Sequence, residues 1–170
     1  MIVRRCESQD IAQVCDIYNH YIRTTAITFE EVPLGVPEMQ ARIEACTTLY
    51  PWLVCCEGES VVGYAYANKW KERAAYRNTA EATVYVRESH DGKGYGKALY
   101  TSLLEALDES NCHVVLGCIA LPNEASVRLH EHFGFTKVAH FREVGCKFGQ
   151  WLDVGYWQRL SDNAVTSAVV

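Results

Sequence analysis

The chain is 170 residues long and 49% hydrophobic, with four prolines, eight cysteines and a formal charge of −5. That length closes a single core without disulfide or metal staples, and the acidic balance, with a pI near 5.7, argues against a nucleic-acid or anionic-membrane partner. No apolar run reaches the length of a membrane span, and the cysteines form no Cys-x-x-Cys pair, so a metal site is not expected despite six histidines.

The opening Ile2-Val3-Arg4-Arg5 is strand-like and carries no signal-peptide pattern, so a cytoplasmic setting is expected. Cys6, Cys15, Cys46, Cys55, Cys56, Cys112, Cys118 and Cys146 lie mostly inside apolar runs and read as small, reduced core residues. Ile11, Val14, Cys15, Tyr18 and Ile22 repeat at helical spacing. Residues 23–36 read as a loop, and Pro37 opens a second helix through about Leu49. Residues 51–57 and 60–69 pair as a hairpin around Gly58, and 79–87 form a further strand. A long helix follows with Leu99, Leu103, Ala106 and Leu107 on one face. Then come a strand over 113–120, a helix over 123–133, and strands around 136–144 and 152–160. Pro122 ends the strand before it, Asn123 suits an N-cap, and Gly134 is placed to stop the helix. This order predicts one α/β domain over 1–160, a mixed sheet with helices on both faces, followed by a tail over 161–170.

The most informative stretch joins the 79–87 strand to the long helix. Glycine stands at 92, 94 and 96, and Lys93 and Lys97 add mobile positive charge. A strand feeding such a loop into a helix start aims free backbone N–H groups and the positive end of the helix dipole at one spot, which suits a diphosphate. The nucleotide loop G-x-x-x-x-G-K-[S/T] is excluded by Asp91 and Ala98, and the dinucleotide fingerprint G-x-G-x-x-G by Lys97. A plain glycine-rich connection is the alternative for the loop alone.

Asp91-Gly92-Lys93-Gly94-Tyr95-Gly96 resembles the acetyl-CoA loop (Q/R)-x-x-G-x-(G/A) of the GNAT acyltransferases, with Asp91 departing from the usual Gln or Arg. A second motif follows about thirty residues on: Asn123, Ser126, His130, Gly134 and Phe135 occupy the offsets at which these proteins place Asn, a small residue, an aromatic acid and Gly-Phe. Within the superfamily, the segments 70–76, 81–86, 121–123, 126–131 and 144–158 resemble the phosphinothricin/methionine-sulfone N-acetyltransferases, and the likeness runs from about residue 2 to residue 160.

The resemblance implies the GNAT fold, a mixed and mostly antiparallel central sheet with helices on both faces. It also implies acetyl-CoA as co-substrate, its pantetheine arm lying along Val84, Tyr85 and Val86 like an added strand, with a backbone N–H there for the oxyanion. The diphosphate falls to Gly92, Lys93, Gly94, Tyr95, Gly96 and Lys97, and Asn123 and Ser126 complete the cofactor set. Glu81 falls on the position proposed as base in the phosphinothricin enzymes; an ion pair with Arg73 or Arg77 on a solvated strand is the rival reading. His130 falls on the acid position and titrates near neutrality; a purely structural histidine is the rival there. Arg73, Tyr76 and Arg77 are expected to bind the carboxylate and the oxygen-rich head of an amino-acid analogue. In the related enzymes a second subunit completes the pocket, so a homodimer is expected, with Phe29, Trp151 and Tyr156 at the interface or in the core.

The expected activity is transfer of the acetyl group of acetyl-CoA to the α-amine of methionine sulfone, methionine sulfoximine or phosphinothricin, by direct attack in a ternary complex. Another amine (a peptide N-terminus, a polyamine or an aminoglycoside) and a non-catalytic acetyl-CoA-binding module are the alternatives.

Overall fold

The computed structural model describes residues 1–90 and 92–161, so Asp91 and the tail beyond Ser161 lie outside the described residues. Ile2-Val3-Arg4-Arg5 forms β1 (Ile2–Arg5), and the helical repeat of Ile11, Val14, Cys15, Tyr18 and Ile22 is on the buried face of α1 (Ile11–Thr24). Next come α2 (Val36–Thr47), β2 (Trp52–Glu57), β3 (Ser60–Lys69) and β4 (Thr79–Val86). The second half supplies α3 (Tyr95–Asp108), β5 (Val114–Leu121), α4 (Glu124–His132), β6 (Thr136–Lys147) and β7 (Gln150–Leu160).

The strands form one seven-stranded sheet in the order β1-β2-β3-β4-β5-β7-β6. Every neighbouring pair is antiparallel except β4 and β5. Each sheet face buries its own core. On one face, Leu99, Leu103 and Leu107 of α3 pack with Ala80, Ala82, Val115 and Ile119. On the other, Val14, Ile17 and Ile22 of α1 and Met39 and Ile43 of α2 cover Val54, Tyr64 and Tyr85. Strand alternation explains the division, since Ala80 and Ala82 turn one way along β4 and Tyr85 the other. No helix among the described residues is long and apolar enough to cross a membrane.

The last hairpin departs from expectation. In place of a seven-residue gap, β6 and β7 close directly through Phe148 and Gly149, both at positive φ (51° and 74°). Two left-handed residues match the twist of a tight hairpin, and the paired arm lengthens accordingly. The cysteine expectation also needs correcting. Cys15, Cys46, Cys55, Cys56 and Cys112 are buried, but Cys6 is half-buried and Cys118 and Cys146 are exposed. Cys6 lies just past the end of β1 at the margin of the core under α1 and α2, and Cys118 and Cys146 lie at exposed positions of β5 and β6.

One irregularity in the sheet positions everything below. β4 and β5 pair only through Thr79–Glu81 against Val114–Leu116, although the strands continue to Val86 and Leu121. Beyond Glu81 they part, and the sheet opens into a fork.

Candidate active site

The fork leads to the start of α3. Gly92 and Gly94 have φ of +74° and +87°, and nothing lies within 4 Å of where a Cβ would be on either. Their glycine is therefore required by backbone conformation and not by space. Gly94 is the N-cap, and the first intrahelical bond runs from the Ala98 N–H to its carbonyl over 3.0 Å. The N–H groups of Tyr95, Gly96 and Lys97 precede that bond and lack intrahelical acceptors, so they are available to an anion.

A cleft of about 700 Å³ joins this helix start to the fork. Val84, Tyr85 and Val86 line it from β4; Gly92, Gly94, Tyr95, Gly96 and Lys97 from the loop and α3; and Asn123 and Ser126 from α4. Of the expected cofactor residues, only Lys93 is absent from the lining; it is exposed. The rings of Tyr85 and Tyr95 are buried: Tyr85 packs against Tyr18 with centroids 5.3 Å apart, and the Tyr95 hydroxyl donates to the Glu57 carboxylate. Asn123 accepts from the Ser126 N–H over 3.1 Å as an N-cap, which leaves its amide NH₂ without a protein partner among the described residues. The cleft also takes in His20, Tyr21, Thr25 and Ile27 from α1 and the loop after it, and Arg128, Leu129 and His132 from α4. The sequence offered no signal for these. Tyr21 is the clearest case: its hydroxyl donates to the Val86 carbonyl over 2.5 Å, a contact that exists only once α1 lies on β4.

Deeper in the fork, a cavity of about 50 Å³ lies between Thr83, Tyr100, Cys118 and His130. His130 is 3% exposed. Its Nδ1 lies 2.8 Å from the Ser126 carbonyl oxygen, which can only accept, so Nδ1 carries the hydrogen. Nε2, 2.8 Å from the Tyr100 hydroxyl, therefore accepts from it. A Cβ on residue 117 would fall 2.2 Å from Nε2, so Gly117 on β5 is what admits the ring. Burial pushes the His130 pKa below the usual histidine value, against a smaller opposing effect of the Ser126 carbonyl. The imidazole is neutral at physiological pH.

Glu81 stands at the crotch of the fork, on the last residue of β4 that pairs with β5. It is half-buried, and desolvation raises its pKa. Its carboxylate has no hydrogen bond or ion pair among the described residues, so the surface ion pair considered from the sequence does not form. Arg77 instead donates to the Ala74 carbonyl over 3.2 Å. Arg73 and Arg77 are exposed and Tyr76 is half-buried against Trp70, on the connection between β3 and β4. None of the three lines the cleft within one chain.

A sheet that forks beside a glycine-bared helix start is the architecture of an acyl-CoA-dependent transferase, and comparison with known proteins agrees. The Acetyltransferase (GNAT) domain family matches residues 3–155. A phosphinothricin N-acetyltransferase of Streptomyces viridochromogenes is 44% identical over 92% of this chain and 86% of its own length. An L-methionine sulfoximine/L-methionine sulfone acetyltransferase of Salmonella typhimurium is 36% identical over 99% of each chain. The structure of yncA from Salmonella typhimurium with its cofactor acetyl-CoA superposes with a TM-score of 0.94 at 36% identity, covering 99% of this chain and 98% of that one. A phosphinothricin acetyltransferase from Sinorhizobium meliloti in complex with acetyl-CoA gives 0.91 at 30% identity, covering 94% and 88%. The chain belongs to the GNAT family and is an acetyl-CoA-dependent N-acetyltransferase.

Two expected outcomes follow from this geometry. Gly94→Ala places a Cβ in the left-handed region at a cost of roughly 1–2 kcal/mol; the loop relaxes, the N–H cluster turns away, and acetyl-CoA affinity measured by calorimetry falls about tenfold. For His130, the native state holds the ring neutral while the unfolded state takes up a proton below about pH 6.5. Its contribution to stability is therefore complete above that pH and is lost on acidification towards the lowered native pKa. Urea midpoints at pH 7.5 and 5.5 are expected to differ less in His130→Gln than in wild type; equal differences would show that the ring is not held neutral.

Proposed function

We propose that the chain acetylates the α-amine of a small amino acid whose side chain carries an oxygen-rich tetrahedral head, such as methionine sulfone, methionine sulfoximine or phosphinothricin, by direct attack within a ternary complex. The observation that carries this reading is Glu81, a half-buried, unpaired carboxylate of raised pKa at the crotch of the fork. A carboxylate in that condition gains from the approach of an ammonium and then takes its proton, directly or through one water. The freed amine adds to the thioester carbonyl, and a main-chain N–H of the unpaired stretch Val84–Val86 donates to the developing oxyanion. Collapse breaks the carbon–sulfur bond; the thiolate takes the proton that Glu81 accepted, and the second proton of the attacking nitrogen passes to water as the neutral amide forms.

His130 has a positioning part in this scheme. Neutral and bonded at both nitrogens, it is a poor donor to a thiolate, but it ties Tyr100 to the first turn of α4 and so fixes Asn123 and Ser126 at the cleft. Arg73, Tyr76 and Arg77, on the segment leading into the strand of Glu81, are the proposed contacts for the acceptor's carboxylate and head-group oxygens. The names of the relatives from Streptomyces viridochromogenes and Salmonella typhimurium support this acceptor class.

A homodimer belongs to the same proposal. Phe141, Val144, Phe148 and Trp151 are 50–66% exposed along the β6–β7 arm, and β6 is an edge strand. An apolar patch on an unpaired edge is a surface that association covers. A second copy there would also account for arginines that no cleft within one chain engages.

Thiol release from acetyl-CoA, measured against methionine sulfone, methionine sulfoximine, phosphinothricin, glutamate, a polyamine, a peptide and an aminoglycoside, tests the acceptor. The first three are expected to be preferred, and a polycation as best acceptor would overturn the assignment. Glu81→Gln is expected to lower kcat by about 10²–10⁴ while acetyl-CoA affinity changes little; an equally active variant excludes Glu81 as the base. In sedimentation, wild type is expected as a dimer and Trp151→Glu as a monomer. A monomeric wild type would refute the interface.

A further inference from the structure

Lys147 is a buried ammonium that the chemistry above leaves unused. It ends β6, is 2% exposed, and donates through Nζ to the main-chain carbonyl of Thr28 over 2.7 Å, across 119 positions of sequence. Burial lowers its pKa, and Glu31 and Glu30 oppose that by favouring the charge. An ammonium withdrawn from water is strongly destabilising unless its partner is well placed, so the Thr28 carbonyl is held at a defined position.

The neighbouring residues converge on the same segment. Two residues before Lys147, Gly145 meets the ring of Phe29 so closely that a Cβ would fall 2.1 Å from the ring's Cε2. On its far side, residues 28–30 are tied to the helices. The Tyr18 hydroxyl donates to Glu30 over 2.9 Å and so accepts from the Thr28 hydroxyl over 3.0 Å, while Arg42 grips both Glu30 oxygens. The next residue back, Ile27, lines both the cleft and the fork cavity beside Val84 and Tyr85. Ile27 is thus the wall residue of the site, and residues 28–30 directly behind it are clamped by α1 and α2 on one side and by the base of the β6–β7 turn on the other.

We propose that Lys147 is a positioning residue for the acceptor: by fixing the Thr28 carbonyl it sets where the adjoining wall residue Ile27 stands relative to the unpaired part of β4. The inference rests on the acceptor entering beside Glu81. A wall displaced by a fraction of an ångström misplaces the amine without touching the diphosphate grip at α3, so the effect falls on one substrate only.

Lys147→Met keeps the apolar stem and removes the donor. With whichever acceptor wild type turns over, its KM for that acceptor is expected to rise about tenfold, with the KM for acetyl-CoA within twofold of wild type. Lys147→Arg restores a charged donor and is expected to recover most of the loss. Amide hydrogen exchange is expected to quicken over residues 28–31 but not in α3. An unchanged acceptor KM, or acceptor and acetyl-CoA constants rising together in step with lost stability, overturns the proposal. If Lys147→Met does not fold, Gly145→Ala pushes on Phe29 from the same turn. Its acceptor KM is expected to rise, and that increment to vanish in a Phe29→Ala background; an increment that persists, or none at all, also overturns the proposal. If no acceptor in the panel reacts with wild type, the acceptor reading fails by itself, and exchange over residues 28–31 in the variants still decides whether Lys147 holds the wall.

Discussion

A hydrogen bond between two buried side chains stands where the sheet divides. Tyr100 of α3 and His130 of α4 meet across 2.8 Å inside the fork. The Tyr100 hydroxyl lies 3.4 Å from the Ala82 carbonyl of β4, and the His130 ring occupies the space that Gly117 of β5 leaves open. The pair fills the space between the two strands where they part. Because the hydroxyl donates to Nε2 and Nδ1 donates to a carbonyl, the pair satisfies its own polar atoms, as buried groups must. With β5 apart, β4 from Ala82 to Val86 keeps β3 on one side and offers main-chain groups on the other. Buried backbone groups of that kind need a partner, and an extended, amide-bearing arm running along the strand would supply one.

The electrostatics follow from where charge is withheld as much as from where it is placed. The chain is acidic overall, yet the helix start at Gly94 presents backbone N–H groups and a dipole end that bind an anion irrespective of net charge. At the crotch, the Glu81 carboxylate has no cationic partner among the described residues, and desolvation raises its proton affinity. A carboxylate paired with arginine would ionise more easily and would make a weaker base. Arg73 and Arg77 are exposed on the connection before β4 and form no ion pair with Glu81.

The β6–β7 arm connects the far edge of the sheet to the site. Its tight Phe148–Gly149 turn carries Lys147 back to Thr28, while its outer surface presents an apolar strip. The same element thus both reaches Thr28 from within and carries exposed apolar residues, Phe148 and Trp151 among them.

Much of the fold was legible from local pattern. The period of Ile11, Val14, Tyr18 and Ile22, the glycines before α3 and the Asn123 cap each act within a few residues, and each element formed where those signals lay. The nucleotide-type loops were excluded by spacing alone, and the loop and Asn123 motifs together indicated the family. The sequence could not indicate that β4 and β5 would separate after Glu81, that Gly117 exists to admit His130, or that Lys147 would reach Thr28. Those facts join residues far apart in the chain, and their energies come from burial and close approach, which arise only after the layers have packed. A periodic pattern shows which face of an element seeks the core; which partners it meets there, and so which polar groups are left for a substrate, is decided by tertiary structure.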